Sequence, residues 1–156
     1  MKFIKSERGQ SLVELGVSLL ILLYLLSGAA EFGVLFFQFV QLRDAAQEGA
    51  LYGSMNPPTG LGDANDLAKI DAIKTRAKYS SPTRSPIDLI NDSGVKIFVT
   101  VPDGKYCEGG SLEVRVTYDH KIFMPFMARI LGRSSSPFIP LNATVTDTIL
   151  SPVCPP

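Results

Sequence analysis

The chain has 156 residues, 46% of them apolar and 19% charged, with a formal net charge of zero. That length allows one domain plus an anchor, and the charge balance argues against a nucleic-acid partner. The charge is nevertheless divided: Lys2, Lys5 and Arg8 against Glu7 give the first nine residues +2, and the remainder carries −2.

From Leu12 to Val40 the only formal charges are Glu14 and Glu31, and Leu15 to Ala30 contains none. Ser11 to Ala30 spans about 30 Å as a helix, the thickness of a hydrocarbon core. Basic residues just before such a run stay cytoplasmic, so the C-terminal part is expected outside the cytoplasm. A secretory signal would be shorter and would end in a small-x-small cleavage site. Here the helix is expected to continue to about Ser54, roughly 66 Å in all, until Asn56-Pro57-Pro58 stops it. Beyond Glu31 the pattern turns amphipathic, with Phe32, Leu35, Phe36, Phe39, Leu42, Ala46, Ala50 and Gly53 at three- and four-residue spacing. Phe36, Phe39 and Leu42 are expected to bury against the following domain at about 1.5–3 kcal/mol each.

Glu14 stands out because an ionised carboxylate inside a membrane helix costs about 2.5–3.5 kcal/mol. It lies five residues after Gly9, behind a short basic leader. A bland alternative is that Glu14 reaches back to the cytoplasmic headgroups. Glu31 is read as marking the exit from lipid, or as a packing or pairing group between stems. Ala29 and Gly33 form a small-x3-small pair suited to close helix approach.

Asp63 is a plausible N-cap for a helix through about Tyr79. Leu67, Ile70, Ile73 and Ala77 form its expected apolar face, and Asp66 belongs with the alternating charges of a solvated face. Three segments then alternate with period two and suggest a small antiparallel sheet. They are Val95–Val101, Leu112–Tyr118, and a stretch around Ala143, Val145 and Ile149. A long loop, 102–111, joins the first two, with Gly109-Gly110 as a turn. Between the second and third, 121–136 holds a short apolar helix candidate, assigned to the core in preference to a membrane or subunit contact. The whole is α+β: a long transmembrane stem leading into a small external domain, with stem and sheet as one structural unit.

Cys107 and Cys154 both fall in the external part, where an oxidising compartment would let them pair. Two unpaired thiols are the alternative. Neither belongs to a Cys-x-x-Cys arrangement, so redox catalysis and zinc binding are not expected. The single histidine, His120, beside Asp119, is read as an exposed surface residue. No catalytic residue, metal site or cofactor is expected. Asp103 and Glu108 are a weak pair for a cation. Asn91 and Asn142 begin glycosylation sequons that carry little weight.

The motifs Arg8-Gly9-Gln10-Ser11-Leu12-Val13-Glu14, Glu31-Phe32-Gly33 and Ala45-Ala46-Gln47-Glu48-Gly49-Ala50, in register, resemble the TadE-like pseudopilins of tight-adherence (Tad/Flp) pilus systems. The segments Val114–Tyr118 and Pro140–Thr146 are similar to that family too. The resemblance implies a pilin-like fold and cleavage between Gly9 and Gln10 by a prepilin peptidase. It further implies a minor pseudopilin of pilus assembly, adhesion and surface colonisation. The expected division is a leader over 1–9, a stem over 10–54 that spans the membrane over about 11–30, and an extracytoplasmic domain over 55–156. Implied partners are the peptidase, other pilins or pseudopilins, the membrane assembly platform and the lipid bilayer. The new amine at Gln10 would pair with Glu14 of a neighbouring subunit, which offsets the burial of both charges. Gln10 departs from the aromatic or methionine start of many mature pilins, which leaves N-terminal methylation open. Two rival readings remain: an uncleaved single-pass anchor displaying a binding module, and a membrane-tethered hydrolase built on His120.

Overall fold

The computed structural model describes residues 7–80, 87–124, 128–129, 132 and 137–154. The leading helix, α1, runs without a break over Glu7–Met55. It stops where the sequence demands: Asn56 still donates its backbone N–H to Tyr52 O at 3.0 Å, but Pro57 and Pro58 have no N–H to continue the ladder. Residues 9–26 are exposed all round, and α1 is the one described helix long and apolar enough to cross a membrane.

The second helix, α2, covers Ala64–Lys78 and is capped as expected, the Asp63 side chain accepting the Asp66 N–H at 2.8 Å. Asp66 does not belong to the solvated face. It is buried, and its carboxylate turns back to accept the backbone N–H groups of Thr59 at 2.6 Å, Gly60 at 3.2 Å and Gly62 at 3.1 Å. Burial pushes its pKa up, but these hydrogen bonds outweigh that and hold it below the ordinary carboxylate value. Leu67 is also corrected: it is exposed, and the buried face of α2 is Ile73 and Ala77. Helix geometry accounts for both: position 66 lies seven and eleven residues before Ile73 and Ala77 and shares their face, whereas Leu67 is rotated off it, and the loop 57–62 supplies the N–H groups that satisfy the buried carboxylate.

Three strands follow: β1 (Lys96–Thr100), β2 (Ser111–Lys121) and β3 (Phe138–Thr148). They form one antiparallel sheet in the order β1-β2-β3, with Val114 opposite both Val99 and Val145. β3 begins earlier than the alternation around Ala143 suggests. It contains Pro140, which is tolerable because β3 is an edge strand. Ile149 lies just past its end and is nonetheless fully buried.

Both helices lie on one face of the sheet, giving an α+β sandwich whose core joins Leu42, Ala45, Ala46 and Ala50 of α1 to Ile73 of α2 and to Leu112, Val114 and Val116 of β2. Small residues on α1 permit this approach. At Gly53 an added Cβ would overlap Leu112 Cδ2, so the stem backbone rests directly on β2. Stem and sheet are therefore one packed unit, though only in part through the residues expected. Leu42 is buried, whereas Phe36 and Phe39 point outward and Leu35 makes the contact instead. Of the helix candidate in 121–136, Ile122 and Ala128 are buried, and most of the rest lies outside the described residues.

Candidate functional site

β2 runs antiparallel to α1, so its N-terminal end meets the end of the stem and its C-terminal end meets the stem near Glu31. There a polar cluster forms inside the apolar contact. His120, 1% exposed, occupies an inward-facing position in line with Leu112, Val114 and Val116. Its Nε2 is 2.9 Å from Glu31 Oε1 and its Nδ1 2.5 Å from Gln38 Oε1. The Glu31 carboxylate accepts from the Nε2–H, and the Gln38 amide, which carries both a donor and an acceptor, serves the other ring nitrogen. The other lone pairs of Glu31 are used as well: the backbone N–H of Phe123 donates to Oε1 at 3.1 Å and that of Met124 to Oε2 at 3.3 Å. One turn further along α1, Gln41 makes a two-way amide contact, donating to Ile87 O at 2.7 Å and accepting from Ile87 N–H at 3.3 Å.

The reading of His120 as a surface residue is thus overturned. Period-two alternation continues one step past Tyr118, which places position 120 on the inner face. An imidazole there needs partners, and α1 supplies them. The cluster is a mechanical joint. Among the described residues it has no serine or cysteine nucleophile bonded to His120, and no set of three His, Cys, Asp or Glu is arranged for a metal.

Glu31 is 6% exposed and turns toward its own domain, away from the open face that carries Ala29 and Gly33. A Cβ at Gly33 would meet nothing within 4 Å, so that side of the stem is free to receive another helix. Ala29 and Gly33 therefore share a surface that Glu31 does not. Gln38 and Gln41 are further joint residues that the apolar periodicity did not single out. Their signal is positional: Glu31, Gln38 and Leu42 fall seven and then four residues apart, in line with Ala45, Gly49 and Gly53.

At the other end of the stem, Gly9, Gln10 and Glu14 are all exposed within the first turns of α1. The Gly9–Gln10 bond sits in the first helical turn, whose N–H groups have no intrahelical acceptor. A glycine there weakens the turn further. Opening it to an extended form costs little.

Cys107 and Cys154 are joined in a disulfide, with Cα atoms 5.1 Å apart. Around it the C-terminal tail pairs with the β1–β2 loop and the stem end: Glu108 N–H donates to Pro152 O at 2.8 Å, and Leu150 N–H to Ser54 O at 2.9 Å. Asp103 accepts the N–H groups of Lys105 and Ser111, which hold its pKa down.

No curated protein and no solved structure gives a match to the chain. The TadE-like protein family matches residues 9–51, most of α1, and over that segment the chain is similar to TadE-like proteins.

Proposed function

We propose that this protein is a minor pseudopilin of a Tad/Flp-type pilus system. In this reading it is inserted with its N-terminus in the cytoplasm, cut between Gly9 and Gln10 by a prepilin peptidase, and joined through its stem to other pilins or to the membrane assembly platform. The observation that carries it is the TadE-like match over 9–51, on a helix whose first half is exposed on every side. A helix apolar all round and left this exposed among the described residues needs lipid or other helices around it. The external domain is far larger than a minimal fibre subunit, which favours a minor component over the main one. Glu14 is exposed on the stem, and in this reading its carboxylate pairs with the amine of a neighbour's Gln10.

The decisive measurement is the intact mass of membrane-purified protein from cells with and without the cognate peptidase. Loss of residues 1–9 only when the peptidase is present is the expected result. Gly9→Leu should leave the precursor uncut, and Glu14→Ala should be cut normally yet assemble poorly. A full-length chain in both strains would replace this reading with an uncleaved anchor displaying its domain as a binding module.

A further inference from the structure

The turn that follows β2 is held at a particular height on the stem. Phe123 and Met124 both donate their backbone N–H groups to the Glu31 carboxylate. Glu31 is the first residue beyond the 20-residue apolar run, so it sits at the outer edge of a hydrocarbon core about 30 Å thick. Whatever is bonded to Glu31 sits at that edge too. Ile122 is turned inward and buried, but the ring of Phe123 is 74% exposed. Met124 reaches lower still. It forms one wall of an apolar groove of about 540 Å³ whose other described lining residues, among them Leu20, Leu23, Tyr24 and Ser27, all belong to the stem. These stem residues lie within the run read as membrane-spanning. The groove is thus continuous with the lipid-facing surface of α1. Lys121, next to the turn, and Arg129, beyond it, are both exposed.

We propose that Ile122–Met124 forms a foot set into the outer leaflet, with a phospholipid acyl chain lying in the groove beneath Met124. Phe123 lies among the upper acyl chains, and Lys121 and Arg129 face headgroup phosphates. An aromatic ring and long cations at this level match the chemistry of a membrane interface. The domain then stands directly on the bilayer. A free stem neck is absent, because the stem is engaged by the sheet from Glu31 onward. The foot fixes which side of the domain faces the membrane, and leaves the Ala29–Gly33 side of the stem open. This inference rests on the membrane-spanning reading of α1.

The chain contains no tryptophan, so a single introduced indole reports its own surroundings. Phe123→Trp in the full chain, reconstituted in phosphatidylcholine–phosphatidylglycerol vesicles, should show blue-shifted emission. Acyl-chain-brominated lipids should quench most of that emission, and aqueous iodide little of it. Phe98→Trp, on the outward face of β1, should behave oppositely, and Leu22→Trp should be quenched by brominated lipid alone. If iodide quenches Phe123→Trp and brominated lipid does not, while Leu22→Trp stays in lipid, the foot is refuted and the span stands. If neither quencher reaches Phe123→Trp, protein covers the turn and the foot is again refuted. If brominated lipid fails on Leu22→Trp, the span itself falls, and the foot with it.

Discussion

Glu31 does unusual work for one side chain. It binds an imidazole and two backbone N–H groups, and it ties β2 and the turn beyond it to a helix 89 residues earlier in the chain. Breaking such a buried pair from one side costs more than the pair itself contributes, because the remaining partner is left without its bond. Glu31→Ala and His120→Ala should each destabilise the domain by about 3 kcal/mol. The double variant should cost clearly less than the sum, since neither partner is then orphaned. Thermal unfolding of the full chain in detergent micelles, followed by near-ultraviolet circular dichroism, measures all three. Additive losses would show that the two side chains act independently. Gln38 is the third member, and its loss should cost less, because one neutral amide acceptor is removed and the carboxylate remains.

At the scale of elements, the sequence revealed most where local chemistry acts alone. The Asp63 cap, the stop at Pro57 and the inward rows of β1 and β2 all follow from spacing and from residue type. The stem was harder to read. In a soluble helix the apolar face is the buried one, but α1 is apolar nearly all round, so hydrophobicity cannot say which side the domain covers. Phe36 and Phe39 were expected inside for that reason. Here the rule inverts: the polar residues Glu31, Gln38 and Gln41 mark the covered face, because only a protein partner can satisfy them, and the phenylalanines are left outside. Asp66 shows a related inversion: its charge assigns it to solvent, yet its spacing from Ile73 and Ala77 puts it on the buried face, where the N–H groups of the preceding loop satisfy it. Its lowered pKa gives it a definite acid response. The folded state favours the ionised form, so its contribution is complete above the unfolded value of about 3.8 and is lost as pH falls below it. Asp66→Asn should therefore be less stable than the parent by about 1–2 kcal/mol at neutral pH. The gap should close as the pH falls below that value. Asp88 and Asp103 also have lowered values, so the difference between parent and variant isolates Asp66. A gap that stays constant across the range would assign the loss to packing.

At the scale of the whole molecule, the sheet is fastened to the stem at both ends of β2 by different chemistry. Toward the apolar half of the stem the fastening is the Glu31–His120 joint. At the far end it is the tail, where Leu150 and Ser151 bond to Ser54 and Met55, and the Cys107–Cys154 bridge locks the tail to the β1–β2 loop. Between them lies a seam of alanines and glycines, which allows close approach but little area per residue. A small core of this kind gains from cross-links at its edges. The bridge closes a separation of 47 residues, and loop entropy alone assigns it up to about 4 kcal/mol. A Cys107→Ser/Cys154→Ser variant should lose stability toward that limit, and the loss should be local before it is global. Amide hydrogen exchange should speed up first at Glu108, Gly109 and Leu150, whose N–H groups pair the tail to its neighbours. The N–H groups of Phe123 and Met124, held by Glu31 at the opposite end, should keep their protection under native conditions. If both ends instead loosen together, the two fastenings form one cooperative unit, and the domain detaches from its stem all at once.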